Sequence, residues 1–298
     1  MIDWHNYGWT ILANTKGRSH PFVALARAYE IALAQTAPTA NVTVTHAMAR
    51  QLQASPYSVS APILTLHDRP AALFQPLDTA DPGARRAVLA RLSVLGADVA
   101  ESVVKGHMRL LVSSTSWTPD EDFGLLLDAL VAYASTSNRR PVVAVITGRG
   151  PQKAYYESRV RALEAGGQLP GVRVLTAWLS LADYASLLAS ADLGVCLHRS
   201  SSGVDLPMKV VDMFGAGLPV AAYSGYESFG ELVVEGVNGR GFESAEQLAG
   251  ILARLLDGGE AGAGELAMLR EGARREGSRR WDEEWDRVLG RVFGVVDE

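Results

Sequence analysis

The sequence has few of the features that would assign it to several large classes of protein. It contains one cysteine, Cys196, in 298 residues, which excludes an internal disulfide framework and is typical of a reducing compartment. This cysteine lies in the apolar run 193–197, so we expect a buried structural thiol. There are 28 basic and 33 acidic residues, and no basic excess therefore indicates nucleic acid as a partner.

Other signals are missing as well. No apolar run approaches the length of a membrane-spanning helix, and no secretory signal peptide is visible. Neither a metal-ligand spacing nor a Gly-x-Ser-x-Gly or P-loop pattern occurs. We therefore expect no metal and no other cofactor.

The chain does contain a regular alternation of strand-like and helical patterns. Hydrophobic residues make up 48% and charged residues 20%, as in a folded globular protein. Apolar, often β-branched runs such as 141–147 are each followed by a helical pattern. This alternation predicts an α/β fold with parallel sheets and helices on both faces.

Composition indicates two boundaries, one in the Pro-rich segment that ends at residue 78 and one in the Gly-rich segment that begins at residue 257. We predict a partial Rossmann-like domain over 1–78, a complete one over 79–256, and a linker with a helical tail over 257–298. The first domain starts at an apparent strand end, so we expect it to be the second half of a larger domain. Trp281, Trp285 and Val288 form an apolar stripe that we expect to dock on the body of the protein.

The most informative segment is 200–220, SSSGVDLPMKVVDMFGAGLPV. A proline and a glycine in suitable places predict a helix over 207–216, preceded by a loop of small residues. Free amides and the positive end of the helix dipole attract phosphate, and Lys209 adds a full charge. Asp212, one turn further, suits the hydroxyls of a sugar. A capped helix with solvated Lys209 and Asp212 explains the same residues equally well.

Further candidates follow other predicted strands. Gly148 and Gly150 would let the backbone approach a ligand and Arg149 could contact phosphate, although a plain strand-to-helix turn fits as well. Trp178 could flank a base, but a packed core indole is more common. His198 either helps to bind phosphate or is a polar loop residue.

A possible general base lies near the start of the chain. His5 is grouped with Asp3, and His67 with Asp68 forms a second pair. A lone histidine is more often structural, so the spacing alone leaves both interpretations open.

Together these segments resemble one family, the eukaryotic chitobiosyldiphosphodolichol β-mannosyltransferases. The resemblance is carried, in order, by IDWHNYG, VSSTSWTPDEDFGLLLDAL, ITGRGP, AWLSLADYASLLASADLGVCLH and SSSGVDLPMKVVDMFGAGLPV. It implies a GT-B-type fold with a whole donor domain and an acceptor domain cut to its second half. Members carry an N-terminal membrane anchor that is not seen in this chain.

The resemblance also implies a reaction and its setting. Mannose would pass from GDP-mannose to chitobiosyl diphosphodolichol with inversion, at the cytosolic face of the endoplasmic reticulum membrane. Other glycosyltransferases of N-glycan precursor assembly would be further partners. Neither a metal nor another cofactor would be needed. The alternatives are another GT-B glycosyltransferase and an inactive fragment that binds donor or a partner.

Residue roles follow from the same resemblance. His5 would be the base, with Asp3 and Asp68 as rivals. Lys209 would contact the diphosphate and Asp212 the ribose. Relatives of the wider fold often have a glutamate eight residues before that carboxylate, where this chain has Val204 beside Asp205. The other residues expected to bind the donor are Gly148, Arg149, Gly150, Trp178, His198, Ser200, Ser201, Ser202, Gly203 and Asp205.

Overall fold

The computed structural model describes residues 1–36, 39–78, 81–137, 139–257 and 259–295. Its strands form two parallel sheets, one of three strands and one of six. The smaller sheet contains β1 (Ile2–Trp4), β2 (Asn41–Thr43) and β3 (Ile63–Thr65), in that order. The predicted α/β fold with parallel strands is confirmed.

The larger sheet has the strand order β6-β5-β4-β7-β8-β9. Its strands are β4 (Arg109–Ser114), β5 (Val142–Thr147), β6 (Val172–Ala177), β7 (Leu193–Cys196), β8 (Val220–Tyr223) and β9 (Gly239–Phe242). The order reverses between β4 and β7. In open parallel sheets a ligand binds at the carboxyl ends of the strands beside such a switch point.

Helices cover both faces of the larger sheet. With the smaller sheet lie α1 (Gly8–Lys16), α2 (Pro21–Ala34) and α3 (His46–Gln53). The others are α4 (Pro82–Arg91), α5 (Ala97–Val104), α6 (Phe123–Ala134), α7 (Lys153–Ala165), α8 (Leu181–Ser190), α9 (Met208–Gly215), α10 (Phe229–Leu232), α11 (Ala245–Leu256), α12 (Glu260–Gly277) and α13 (Trp281–Trp285), followed by a π-helical turn, Asp286–Gly290.

Alternate residues of the central strands enter two separate cores. Leu110 and Val112 of β4 pack on the side of α5, α8 and α9. Leu111, between them, packs on the side of α6 and α11. This period of two, with both faces buried, explains why the strands are nearly continuous apolar runs. Cys196 is buried as predicted, and burial raises the pKa of its thiol to about 11.

The helix predicted over 207–216 is α9, one residue shorter at each end, with Pro207 as its N-cap. It ends in a Schellman motif, in which Leu218 donates to the carbonyl of Met213 and Gly217 to that of Phe214. Gly217 has a φ of 69°, which glycine adopts without strain.

In the Gly-rich segment that begins at residue 257, α12 already starts at Glu260. A Cβ on Gly262 would overlap the carbonyl oxygen of Arg254 in α11, so this glycine lets the two helices touch. Later glycines of α12 approach the backbone of Val237 and Phe214 in the same way. Gly262, Gly272 and Gly277 therefore allow α12 to pack closely against other parts of the backbone.

The tail crosses back to the smaller sheet. Trp285 and Val288 pack with Leu289 against Val42 and Leu66, so the predicted docking is confirmed for these two residues. Trp281 is exposed, and for it the prediction is wrong. Arg69, in the segment after β3, donates to Glu276 and Glu284 of the terminal helices. These ion pairs join the segment after the smaller sheet to the C-terminal helices.

The two sheets occupy 2–65 and 109–242, on either side of the predicted boundary at residue 78. The division into domains stays a prediction. Residues 79, 80, 258 and 296–298, which fall at the predicted boundaries or in the tail, lie outside the described residues. Among the helices of the described ranges, none has both the length and the apolarity to cross a membrane.

Candidate active site

A cavity of about 340 Å³ opens at the carboxyl ends of the strands next to the switch point. Its walls come from the loops after β4, β5 and β6 and from α8 and α9. The lining residues are Ser114, Thr115, Thr147, Gly148, Trp178, Leu179, Leu181, Tyr184 and Lys209. We call this space the sheet-edge cavity. The sequence predicted three of these residues as donor-binding, and they come from two loops and one helix.

Lys209 reaches into the sheet-edge cavity from the first turn of α9. Its ammonium group pairs with the buried carboxylate of Glu121. Glu121 also accepts hydrogen bonds from the hydroxyl of Thr115, at 2.9 Å, and from the amide of Ser116. Burial lowers the pKa of Lys209 to about 8, while the charge of Asp120 partly opposes this shift. The lysine is therefore partly buried and held in place before any ligand arrives.

Asp212 lies one helical turn beyond Lys209, as predicted. Within the described chain its carboxylate has no hydrogen-bond or ion-pair partner. Burial raises its pKa to about 7. Its charge acts on Tyr184, which lines the sheet-edge cavity. An unpaired, half-buried carboxylate next to a cavity is a candidate for contact with hydroxyl groups of a ligand.

The glycines of the 148–150 loop have a structural reason. A Cβ on Gly148 would overlap the carbonyl oxygen of Thr115, and one on Gly150 would overlap that of Ser116. Gly148 also has a φ of 134°. Both glycines therefore let this loop lie directly on the loop after β4. Only Gly148 of the three predicted residues lines the cavity.

Trp178 is not a core indole, because 59% of its surface is exposed at the rim of the cavity. The guanidinium of Arg149 lies over its ring, 4.2 Å from the centroid. An exposed aromatic ring that lines a cavity presents a flat apolar face on which a base can stack.

The serine loop does not line the sheet-edge cavity. Asp205, buried beneath it, accepts hydrogen bonds from Asn6 at 3.1 Å, from His198 at 3.2 Å and from the hydroxyl of Ser200. Burial raises the pKa of Asp205, but the bonds from His198 and Ser200 outweigh this effect and hold the pKa below its usual value. The loop thereby joins the larger sheet to the end of β1.

The other residues of the serine loop also form hydrogen bonds within the protein. The hydroxyl of Ser201 bonds to Thr10 at 3.0 Å, and Ser202 accepts from the amide of Val204. Gly203 has a φ of 80° and donates to Ser200. Ser201 and Ser202 line a different cavity, on the side of the smaller sheet. Residues 198–205 do not line the sheet-edge cavity, but the backbone of His198 forms a β-bridge with Glu121, the partner of Lys209.

The three candidate bases do converge. His5 follows β1, is exposed, and bonds through Nε2 to Asp3 at 3.1 Å. Asp68 follows β3, and its charge interacts with those of His5 and Asp3. Burial raises the pKa of Asp68, whereas the charge of His5 lowers it. An imidazole oriented by a carboxylate is an arrangement that suits proton transfer.

A group that could hold a metal lies nearby. One ligand atom each from His46, His67 and Glu231 lies within 4.8 Å of the other two. The carboxylate of Glu231 already accepts the amides of His46 and Ala47 at the start of α3. These residues come from distant parts of the chain, so no spacing in the sequence could have indicated them.

Two important residues of the site were missed from the sequence. Glu121 stands in an acidic run that predicts a helix cap, yet its side chain turns inward to Lys209. The N-cap position of α6 is taken by the neighbouring Asp122, whose side chain forms no capping hydrogen bond. Tyr184 bonds to Ser114 at 3.0 Å at the base of the cavity and looked like an ordinary helix residue. Long-range contacts define both roles, and local patterns do not reveal them.

Comparison with known proteins adds the following findings. A family model described as "Glycosyl transferases group 1" matches residues 107–258. The chitobiosyldiphosphodolichol beta-mannosyltransferase of Arthroderma benhamiae is 50% identical over 301 residues, which cover 99% of this chain and 66% of that protein. The UDP-glycosyltransferase TURAN of Arabidopsis thaliana is 38% identical, over 96% of this chain and 69% of that protein. The resemblance stated from the sequence is confirmed.

This chain spans slightly less than two thirds of the length of the Arthroderma protein. Among solved structures, that of Anabaena Alr3699/HepE in complex with UDP is similar, with a TM-score of 0.70. The similarity covers 99% of this chain and 71% of that one, at 15% identity. At so low an identity the likeness shows the fold alone.

Proposed function

The chain belongs to the group 1 glycosyltransferases, and on that premise we propose that it is a β-mannosyltransferase. It transfers mannose from GDP-mannose to chitobiosyl diphosphodolichol. One observation carries the proposal: a relative named for this acceptor and this sugar is 50% identical over nearly the whole chain. The sheet-edge cavity, which is lined by a lysine and an exposed indole, supports a nucleotide-sugar donor.

The donor lies across the ends of β4 to β7 in this proposal. The guanine stacks on Trp178, and the diphosphate meets Lys209 and the free amides at the start of α9. Asp212 accepts hydrogen bonds from hydroxyls of the ribose. As GDP leaves, its negative charge grows, and the ammonium group stabilises that charge more than it stabilises the bound donor. Glu121 keeps the ammonium group at the place where this charge develops.

The transfer is a single displacement with inversion. The 4-hydroxyl oxygen of the terminal N-acetylglucosamine forms a bond to C1 of mannose while the bond from C1 to the diphosphate oxygen breaks. His5 takes the hydroxyl proton. Because its Nε2 bonds to Asp3, Nδ1 is left to accept that proton. Asp68 next to this pair is the alternative base.

The setting of the reaction is part of the proposal. The acceptor is lipid-linked, so the chain works at the cytosolic face of the endoplasmic reticulum membrane, beside other glycosyltransferases of the pathway. The proposal needs neither a metal nor another cofactor, since Lys209 and the amides of α9 face the leaving group.

One alternative has specific support. The Arabidopsis relative, 38% identical over 96% of this chain, is named a UDP-glycosyltransferase. A group 1 glycosyltransferase with a UDP-sugar donor is therefore the second candidate.

Transfer of mannose to a chitobiosyl diphosphate lipid tests the proposal. The purified chain is incubated with GDP-mannose and acceptor, and the product is identified by mass and by its sensitivity to β-mannosidase. We expect a product that carries one β-linked mannose. A chain that binds GDP-mannose but yields no product would instead be a donor-binding fragment, and transfer from a UDP-sugar would support the second candidate.

A further inference from the structure

The hairpin of α1 and α2 exposes an unusual amount of apolar surface. Ile11, Phe22, Leu25 and Tyr29 are each between 52% and 66% exposed. In the whole of α2 only Val23 and Ala34 are buried. We call this surface the hairpin face. Contiguous apolar patches on folded proteins mark contact sites, so we expect the hairpin face to contact another molecule or surface.

The apolar residues of α2 share one side of the helix. Phe22, Leu25 and Tyr29 are separated by three and four residues, and Leu33, four residues later, is also exposed. At 100° per residue these four side chains fall within one narrow stripe. Two of them are aromatic, and aromatic rings are enriched at the boundary between headgroups and acyl chains.

The charges around the hairpin face have one sign. Lys16, Arg18 and Arg27 are exposed. The single carboxylate of residues 8–34 is Glu30, which accepts a hydrogen bond from the amide of Trp9 at 2.9 Å. The chain as a whole has a formal charge of −5, so this basic region stands out from the rest. A basic, apolar face complements an anionic lipid surface, whereas in a symmetric dimer it would bring like charges together.

From this surface we infer that the hairpin face docks on a membrane with anionic headgroups. Phe22, Leu25 and Tyr29 enter the boundary between headgroups and acyl chains, and Lys16 and Arg18 contact lipid phosphates. The hairpin lies along the surface and does not span the membrane.

The cavity beside the hairpin face agrees with this inference. It has a volume of about 300 Å³, and Arg18 and Arg27 line it together with Trp9 and Tyr57. Two arginines and aromatic rings suit the diphosphate and sugars of a lipid-linked acceptor. This point rests on the proposed function for the nature of the acceptor, whereas membrane docking does not need it.

Co-sedimentation with vesicles tests the inference without donor or acceptor. The purified chain is mixed with vesicles of phosphatidylcholine alone, or with about 30% phosphatidylserine, which gives the surface a negative potential. We expect binding to the anionic vesicles only. Leu25→Glu should weaken it at least about tenfold, since it places a charge in the apolar stripe and repels the anionic headgroups. Met268→Glu, at an exposed apolar site on α12, is the matched control and should bind as the unchanged chain does.

A second pair of variants covers the case in which Leu25→Glu fails to fold. Arg18→Gln should weaken vesicle binding about fivefold, the effect of one basic residue near a charged surface. Arg173→Gln, exposed on the edge strand β6, should leave binding unchanged. Equal binding to neutral and anionic vesicles, or none to either, overturns the inference. So does a dimer that Leu25→Glu dissociates, because the hairpin face would then contact a second copy. A failure of mannose transfer alone leaves the vesicle result intact.

Discussion

Single residues determine how the sheet-edge cavity meets a negative ligand. Lys209 is half-buried and paired with Glu121, so it stabilises the folded chain as well as any bound diphosphate. Lys209→Met should lower GDP affinity about tenfold or more, the effect of one charge-assisted contact. It should also destabilise the fold by about 3 kcal/mol, because Glu121 is left buried without its partner. Calorimetric titration and urea unfolding measure the two effects.

A double variant separates these two roles. Glu121→Gln combined with Lys209→Met removes both charges, so most of the lost stability should return while GDP affinity stays low. Lys105→Met, at an exposed lysine that pairs with Glu101, is the control for both measurements. A double variant that binds GDP as tightly as the unchanged chain would rule out the contact between Lys209 and the diphosphate.

Asp212 predicts a pH dependence of stability. Its pKa rises from 3.8 to about 7 on folding, so between these values the folded chain holds a proton that the unfolded chain has lost. The ionisation of Asp212 therefore lowers the free energy of unfolding as the pH rises from about 4 to about 7. Asp212→Asn should raise the melting temperature at pH 8 and change it little at pH 4. Asp98→Asn, at an exposed carboxylate, should give no gain, and an equal gain at both pH values for Asp212→Asn would contradict the assignment.

Some residues of the candidate site could be predicted from the sequence, and others could not. Trp178 was predicted because it follows a strand, and strand ends meet at one edge of a parallel sheet. Lys209 was predicted because it starts a helix, and Asp212 because it lies one turn further on. Glu121 was not, since it lies 88 residues before Lys209 and only the fold brings the two together. The phosphate-binding role of the serine loop stays a prediction. Its hydroxyls bond to Asp205 and Thr10, and no local pattern indicated these contacts.

The position of one loop relative to another depends on glycine where their backbones touch. Gly150 lies on Ser116, and a Cβ there would overlap the carbonyl oxygen. Gly150→Ala should therefore destabilise the fold by about 2 kcal/mol or more, since the loop after β4 must move. Gly250→Ala is the matched control, because this glycine is exposed in α11 with open space around it. It should stabilise the fold by about 0.5–1 kcal/mol. Similar urea midpoints for the two variants would contradict the close contact of the loops.

Elements with a strong local pattern were predicted well. β5 is a run of six buried residues, and Ser244 caps α11 by accepting from the amide of Gln247, as its position predicts. β9 was missed, since two of its four residues are glycine and its position comes from pairing with β8. The glycines of α12 were misinterpreted for a related reason, because the partner backbone that requires them is distant in sequence.

For the molecule as a whole, buried charges contribute to the contact between the C-terminal helices and the segment after the smaller sheet. Arg69 and Glu284 are almost completely buried and pair with each other, and Arg69 also donates to Glu276. Arg69→Ala should lower the free energy of unfolding by about 3 kcal/mol, because Glu276 and Glu284 lose a buried partner. In this variant Arg287 still reaches Glu284. Arg86→Ala, which breaks an exposed pair with Glu101, should cost less than about 1 kcal/mol. Equal costs in urea unfolding would show that the tail contributes little to the fold.

The most direct test of the central claim is the donor preference of the purified chain. Isothermal titration with GDP-mannose and with UDP-glucose measures both affinities under the same conditions. The sheet-edge cavity is proposed to hold a guanosine diphosphate between Trp178 and Lys209, so GDP-mannose should bind at least about tenfold more tightly, a difference of about 1.4 kcal/mol. Equal or tighter binding of UDP-glucose would contradict the account.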